Sequence, residues 1–236
     1  MREPSQSLEI CPVCASNRFT NEPVLLPELI EQWELSPDEV AYINLQQGFC
    51  CTGCGNNLRT MTLAAAVTRA FGFAGSFKDF CRNDPGIRQL TVIEINPAKN
   101  LSPFLQALPK HELHSFPQLD MQRMSFGDSS IDIIIHSDTL EHVPDSEAAL
   151  KESRRVLKPG GHLFYTMPIV IGRLTRRRRG LPPSYHGRET NRDDWIVQTE
   201  YGADFWCEIF EVGFREVSLT SLIFPASVAI HAIKGP

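Results

Sequence analysis

Long apolar runs and an export signal are both missing from this sequence. The first ten residues, MREPSQSLEI, contain no apolar segment of the kind that directs secretion. The most apolar late stretch, residues 217–233, is interrupted by Pro225 and predicts two strands rather than a membrane span. We therefore expect a soluble, cytoplasmic protein without a membrane segment, and the 42% hydrophobic content is sufficient for a substantial core.

A strong net charge is missing as well. The formal charge is −5 over 236 residues, which argues against a broadly basic surface of the kind that binds nucleic acids. Internal repeats are absent, and the only biased segment is one arginine run. This length is typical of one medium-sized domain with a small appendage.

Cysteine is present in a pattern that favours metal binding over disulfides. Four of the seven cysteines form two C-x-x-C pairs, Cys11 with Cys14 and Cys51 with Cys54. Two such knuckles can bring four thiolates to one Zn²⁺ at about 2.3 Å, and a site with four protein ligands is structural because it has no open position. Two alternatives remain: Cys50 could replace Cys51, or one pair could be an unligated or redox pair.

The 36 residues between the knuckles predict a helical insert. Ser36 to Glu39 (SPDE) reads as an N-cap, a proline at the first helical position and a glutamate at the third. We assign residues 1–57 to a zinc-ribbon-like module. The following residues, 58–86, predict two leading helices, the first over Leu58–Phe71 and the second capped by Ser76.

The centre of the chain predicts a strand, a helix and a second strand. The β-branched run from Ile131 to Ile135 is typical of a parallel strand that is buried on both faces. Asp145 and Ser146 offer N-caps for a helix that ends before Pro159, and residues 162–169 form the next strand. Ligands of such sheets bind beyond the carboxyl ends of the strands, which places residues 136–142 at the binding site.

Three segments of this region resemble class I S-adenosylmethionine (SAM) methyltransferases of the type 11 kind. These are Ile131-Asp132, Leu140–Val143 (LEHV) and Arg155–Gly161 (RVLKPGG), which match the family's strand, loop and helix end in order. The resemblance covers about residues 87–236. It implies a Rossmann-like α/β domain over residues 58–236, with a mostly parallel sheet, a C-terminal antiparallel hairpin and SAM as cofactor.

The cofactor turn of that family departs from its usual pattern here. The family has an acidic residue just before a G-x-G-x-G turn, and Glu94 occupies the acidic position. Asn96, Ala98 and Asn100 stand in the glycine positions. Asparagine tolerates left-handed backbone best among the non-glycine residues, and alanine adds only a methyl group. We expect these four residues to contact SAM, the alternative being a pocket that no longer binds it.

The middle of the sheet is expected to be shortened. Only three residues separate the HELHSF run, 111–116, from Asp120, whereas a parallel crossover needs about 10 to 12. One helix, and with it up to one strand, should be missing. By the resemblance Asp120 and Met121 contact the adenine and His136 lines the cofactor site, while the acid that holds the ribose has no clear counterpart other than Glu112 or His114.

Methyl transfer is an in-line displacement that needs positioning and no metal. For a weakly acidic acceptor, His142 is the candidate general base by position and intrinsic pKa. The alternative is that His142 hydrogen-bonds backbone at the start of the helix. Asp138 is assigned to the substrate side of the pocket.

Residues 172–201 predict an inserted arginine-rich segment. Residues 173–192 carry a net charge of +6, which leaves −11 for the remainder. This concentration favours an anionic acceptor contacted by Arg176, with Tyr185 and His186 in a turn over the site. A solvated loop is the alternative.

We predict a SAM-dependent methyltransferase that acts on a small or carrier-linked, anionic metabolite, such as a sugar, glycan or natural-product precursor. Two alternatives differ in class: a non-catalytic binding protein on the same scaffold, and an RNA methyltransferase. The acidic remainder of the chain and the absence of aromatics within the arginine run make nucleic acid the weaker prediction. The sequence does not indicate an oligomeric state.

Overall fold

A computed structural model describes residues 8–185 and 195–236, so the predictions for His186 lie outside the described residues. The helices are α1 Pro27–Gln32, α2 Pro37–Gly48, α3 Leu58–Ala70, α4 Phe77–Asn83, α5 Ser102–Leu105, α6 Ser146–Val156 and α7 Cys207–Glu211. The strands are β1 Phe19–Asn21, β2 Phe49–Cys51, β3 Val92–Ile95, β4 His111–His114, β5 Ile131–Ser137, β6 Leu157–Thr166, β7 Ile169–Val170, β8 Arg176–Arg177, β9 Thr199–Gly202, β10 Glu216–Thr220 and β11 Ala229–Ile233.

The central sheet has six strands in the order β10-β11-β6-β5-β3-β4. Strands β6, β5, β3 and β4 are parallel, and β11 runs antiparallel to both β6 and β10. This arrangement confirms the predicted Rossmann-like α/β sheet with a C-terminal antiparallel hairpin. Residues 115–130, all of which the structure describes, contain no helix or strand, so β4 is the edge strand and the middle of the sheet is shortened as predicted.

Strand β5 is buried on both faces because its side chains alternate between two cores. Ile133 and Ile135 pack in the core under α3 and α4, whereas Ile134 packs in the core under α6. Helix α6 begins where predicted, since the Asp145 side chain accepts a hydrogen bond from the amide of Ala148 at 2.9 Å. Helices on both faces of the sheet therefore cover the four isoleucines of β5.

The helical insert, residues 15–50, contains α1 and α2. Helix α2 begins with the predicted capping box: the Glu39 amide donates to Ser36 Oγ at 3.3 Å, and the Ser36 amide donates to Glu39 Oε2 at 2.7 Å. Strands β1 and β2 pair antiparallel and close the insert at its two ends. The insert packs through Trp33 on Val170 and Val197, so it lies against the segment that follows β6.

The segment after β6 forms a small sheet that the sequence does not predict. Strands β7, β9 and β8 align in that order, with Arg176 opposite Glu200 and Arg177 opposite Thr199. Strands of two residues carry no readable alternation, which is why the sequence suggests only an irregular insertion here. Among the described residues, no helix is long and apolar enough to span a bilayer.

Candidate functional site

A cavity of about 1060 Å³ lies at the carboxyl ends of β3 and β5. Asn96 and Lys99 border it from the chain after β3, and Ser137, Asp138 and Thr139 border it from the end of β5. The helical insert forms the facing wall with six apolar side chains: Val24, Leu25, Leu29, Trp33, Leu35 and Ile43. The cavity thus combines a polar floor at the sheet with an apolar wall from the N-terminal region.

The loop that follows β3, residues 96–101, is called the cofactor loop below. It contains two left-handed residues, Asn96 at φ +56° and Lys99 at φ +48°. The Asn96 amide donates to the carbonyl of His114 at 2.8 Å, and Asn96 Oδ1 accepts from the amide of Phe116 at 3.2 Å. Asparagine therefore replaces glycine at the first position of the turn with a positive φ and two specific hydrogen bonds.

Three of the predicted cofactor residues do not line the cavity. Glu94 is fully buried, and its Oε1 accepts from the amide of Ala98 at 2.8 Å while its Oε2 lies 2.9 Å from His111 Nε2. Ala98 is buried in the core, and Asn100 Nδ2 donates to the carbonyl of Gly55 at 2.6 Å. These side chains hold the cofactor loop from behind, and the predicted contacts of these residues with SAM stay predictions.

His136 also lies outside the cavity. Its side chain shares the α6 face of β5 with Ile134, is fully buried and stacks on the Tyr165 ring with 4.8 Å between centroids. Burial lowers the pKa of His136 to about 4, so the ring is neutral at physiological pH. The alternation of β5 turns the His136 side chain into the core, and its predicted cofactor contact stays a prediction.

Asp120 and Met121 line the cavity together with Gln122. Asp120 Oδ1 accepts from the Gln122 amide at 2.9 Å, which fixes the carboxylate at the end of the shortened connection. Glu112 and His114, the two ribose candidates, bind each other at 2.9 Å, and the Glu112 side chain is 60% exposed. Neither borders the cavity, where Ser115 and Phe116 stand instead.

Arg59 is a cavity residue that the sequence analysis overlooked. Its side chain is 1% exposed, forms an ion pair with Asp138, and has no hydrogen-bond partner for Nε among the described residues. Burial lowers the pKa of Lys99, and the nearby Arg59 charge lowers it further, while Asp138 opposes the shift. Two cations against one carboxylate leave positive charge at this end of the cavity.

One signal for Arg59 is present in the sequence. Helix α3, LRTMTLAAAVTRA, is buried from Leu58 through Thr68, and Arg59 is its one charged residue within that stretch. A buried arginine needs a partner, so its presence in an otherwise uncharged buried helix indicates a specific site.

His142 borders the cavity, and its environment defines its tautomer. Nδ1 lies 3.0 Å from the carbonyl oxygen of Ile196, and because a carbonyl only accepts, Nδ1 carries the proton of the neutral ring. Nε2 then bears the lone pair and lies 3.6 Å from Oε1 of the buried Glu141. This geometry allows Nε2 to take up a proton and Glu141 to stabilise the resulting imidazolium.

Four arginines of the run pair with three glutamates within the protein. Arg173 pairs with Glu39, Arg176 and Arg178 both pair with Glu200, and Arg177 pairs with Glu208. Arg176 and Tyr185 do not border the cavity; the Tyr185 backbone bridges Ile196 instead. Substrate contacts of these two residues stay predictions; the glutamates that pair with the run are distant from it in sequence.

The four cysteines of the two knuckles converge. Their Sγ atoms all lie within 4.8 Å of one another, with Cys11 3.7 Å from Cys54 and Cys14 3.6 Å from Cys51. A tetrahedral Zn²⁺ with bonds of about 2.3 Å requires sulfur separations of about 3.8 Å, so the set fits this ion. Cys50 lies outside the cluster and points to the carbonyl of Gln47, which favours Cys51 as the fourth ligand.

Comparison with known proteins agrees with this fold. Residues 51–165 match the family model Methyltransf_11, described as a methyltransferase domain. A demethylmenaquinone methyltransferase of Tropheryma whipplei is 31% identical over 130 residues, which cover 48% of this chain and 52% of that protein. A ubiquinone biosynthesis O-methyltransferase of Xanthomonas oryzae pv. oryzae is 34% identical over 82 residues, 32% of each protein. The chain spans about half the length, or less, of these curated relatives.

Solved structures are matched at low identity and low TM-score. The CurJ carbon methyltransferase has a TM-score of 0.45 at 12% identity, covering 89% of this chain and 70% of that one. A SAM-dependent methyltransferase of Thermotoga maritima has a TM-score of 0.42 at 16% identity, covering 75% and 90%. Residues 51–165, just under half of the chain, are similar to a methyltransferase domain, and the two curated relatives are named as methyltransferases.

Proposed function

We propose that this protein transfers a methyl group from SAM to a small molecule with an apolar body. The observation that carries the proposal is the single cavity that joins the cofactor loop to the apolar wall of the helical insert. Its volume of about 1060 Å³ slightly exceeds the range of about 300 to 1,000 Å³ that is usual for ligand pockets. A cofactor and an acceptor can therefore lie side by side in it.

The polar floor of the cavity suits the charged groups of SAM. Arg59 and Lys99 supply positive charge for the methionine carboxylate, and Asp138 supplies a carboxylate for the ammonium group. Asp120 and Met121 occupy the positions that the family resemblance assigns to the adenine contact. The unpartnered Nε of Arg59 supports this assignment, since a buried donor without a partner is costly unless a ligand completes it.

The chemistry asked of the protein is positioning and proton removal. Bound SAM supplies an electrophilic methyl group. The apolar wall holds the acceptor and excludes water, so that its nucleophilic atom stays in line with that methyl. His142 takes the acceptor proton on Nε2 while Nδ1 remains bonded to Ile196, and Glu141 stabilises the positive ring.

The acceptor in this proposal differs from the anionic metabolite that the arginine run suggests. With Arg173, Arg176, Arg177 and Arg178 paired internally, a sugar or glycan precursor loses its main support. Aliphatic residues and Trp33 on the insert favour an apolar body. The relatives named for demethylmenaquinone and ubiquinone biosynthesis are in line with an acceptor of this kind.

We also propose that Cys11, Cys14, Cys51 and Cys54 hold a structural Zn²⁺. The cluster geometry supports it, and four thiolates leave no open coordination position for catalysis. The division into a zinc-ribbon-like module at 1–57 and a methyltransferase domain at 58–236 remains part of the proposal. The insert within the module nevertheless forms one wall of the cavity, so the two parts act on one site.

The proposal is tested in two steps on zinc-loaded protein. Isothermal titration with SAM, and with S-adenosylhomocysteine as the product analogue, should show micromolar binding of both. Incubation with [methyl-³H]SAM and a total metabolite and RNA extract should then place label in the organic-solvent phase. Label in acid-precipitable RNA would identify an RNA methyltransferase, and label in the aqueous phase would identify a polar acceptor. If the protein binds neither SAM nor S-adenosylhomocysteine, it is a scaffold without catalysis.

A further inference from the structure

The second cysteine knuckle lies directly against the cofactor loop. Asn100 Nδ2 donates to the carbonyl of Gly55 at 2.6 Å, and Asn56 Nδ2 donates to the carbonyl of Asn100 at 3.0 Å. The same Asn56 amide nitrogen lies 3.5 Å from Cys54 Sγ. The loop therefore donates a hydrogen bond to the knuckle through Asn100, and the knuckle donates one to the loop through Asn56. Asn56 also contacts the sulfur of Cys54, one of the four clustered cysteines.

The knuckle side of this contact is shaped by the thiolate pair. The Gly55 amide donates to the carbonyl of Cys51 at 2.7 Å, and the Cys51 amide donates to the carbonyl of Asn56 at 2.9 Å. Gly55 has φ +70°, and a Cβ there would lie 2.6 Å from Asn100 Nδ2. When Cys51 and Cys54 bind one ion, their turn is fixed, and with it the carbonyl of Gly55 and the side chain of Asn56.

The loop side depends on outside support. Asn96 and Lys99 both have positive φ, a conformation that costs free energy for non-glycine residues and persists when surrounding contacts impose it. Asn100 follows Lys99 directly, and Lys99 borders the cavity. The hydrogen bonds of Asn100 therefore hold the end of the cofactor loop in the position that presents Lys99 to a ligand.

We infer that the metal-bound knuckle positions the cofactor loop through Asn100 and Asn56, so that zinc occupancy sets the affinity for SAM. The inference rests on the proposed function, in which this cavity binds SAM and the cysteines bind zinc. By linkage, SAM or its product analogue must then strengthen zinc binding at equilibrium by the same factor by which zinc strengthens SAM binding. The two hydrogen bonds make an effect on the order of tenfold the expected size.

The test uses the full chain with one zinc bound and the variant Asn100→Ala. Zinc content is measured by inductively coupled plasma mass spectrometry and SAM affinity by calorimetry. Zinc release is measured at equilibrium, as the transfer of zinc to a competing colorimetric chelator with and without saturating S-adenosylhomocysteine. In the unchanged protein the analogue should raise the zinc affinity obtained from this competition about tenfold. In Asn100→Ala zinc content should stay at one per chain, SAM affinity should fall about tenfold, and the analogue should no longer affect release.

Thr52→Ala is the matched control. Thr52 lies on the same knuckle, and its Oγ1 bonds to the carbonyl of Arg18 at 3.3 Å, away from the cofactor loop. This variant should retain both the SAM affinity and the effect of the analogue on zinc release. If Asn100→Ala folds poorly, the release measurement on the unchanged protein still decides the question, since it needs no variant.

The outcomes separate the inference from the function. If the unchanged protein binds SAM but the analogue leaves zinc release unaltered, the inference is overturned and the proposed function stands. Unaltered SAM affinity and unaltered linkage in Asn100→Ala also overturn it. If the unchanged protein fails to bind SAM, the proposed function and the inference fall together.

Discussion

Two arginine-bearing regions of this protein differ sharply in what surrounds them. Arg59 is the one charged residue in the buried stretch of helix α3, is 1% exposed at the cavity, and pairs with Asp138 beside a second cation, Lys99. The arginine run at 173–178 is dense in charge, yet its four arginines pair with Glu39, Glu200 and Glu208, and none of them borders the cavity. The comparison teaches that local charge density in a sequence does not locate an anion site; charge that lies in a cavity does.

The difference between Arg59 and the arginine run does not depend on pH in the ordinary range, because arginine stays protonated there. Loss of stability in mild acid should come from buried histidines instead, because burial lowers the pKa of both His136 and His231 to about 4 from 6.5. Between these values the unfolded chain binds more protons than the folded one, so stability falls as pH drops from about 6.5 to 4. At about 1.4 kcal/mol per pKa unit, each of the two histidines should lower the free energy of unfolding by about 3 kcal/mol.

The pH effect is measured by urea unfolding at several pH values. His136→Phe, which keeps a ring against Tyr165, should flatten the pH dependence. An unchanged slope in His136→Phe would show that this ring is not buried neutral.

Arg178→Met should destabilise the fold without affecting the cofactor site. Arg178 and Glu200 are 6% and 7% exposed, and removing one partner of a buried pair leaves the other uncompensated. Because Glu200 keeps Arg176, we expect a loss at the lower end, about 3 kcal/mol, by urea unfolding. SAM affinity of the folded protein, measured by calorimetry, should stay within about twofold, a change of about 0.4 kcal/mol; a large drop would place the arginine run in the binding site.

Arg59→Met, unlike Arg178→Met, should weaken SAM binding. Loss of a charged donor to a ligand costs about 1.5 to 3 kcal/mol, so SAM affinity should fall by about ten- to a hundredfold. Arg69→Met is the matched control in the same helix, where the side chain is exposed outside the buried stretch. Calorimetry compares the two variants, and equal SAM affinities in them would remove Arg59 from the site.

Arg176→Met should have the smallest effect. The Arg176 side chain is 52% exposed, and exposed ion pairs contribute about 0 to 1 kcal/mol. Urea unfolding should therefore shift little, and the rate of methyl transfer to the acceptor found by labelling should be unchanged. A selective rise in KM for that acceptor would restore the original assignment of Arg176 to the substrate.

The sequence predicts the fold from one local segment. Residues 131–161 encode a strand, a turn and a capped helix in consecutive residues, and the spacing of the four cysteines predicts that they cluster. Patterns of this kind can be recognised in a single sequence because each is formed by residues that are close together in the chain.

The site is predicted less well because its contacts are distant in sequence. Arg59 acquires its role from Asp138, 79 residues away, and Glu94 lies behind the cofactor loop although it matches the family's acidic position. Strands β7 and β8 have two residues each, too short for any pattern. His136 could have been placed correctly, since the alternation of β5 assigns its side chain to the same face as Ile134.

The position of the helical insert has a consequence for how acceptor choice can diverge. Both ends of the insert are fastened at one cysteine cluster, whereas its middle meets the cavity. The entropic cost of closing a loop grows slowly with length, so such a cassette tolerates insertions and exchange. A different sequence between the same two cysteine pairs could admit a different acceptor while Arg59, Lys99 and the sheet remain as they are.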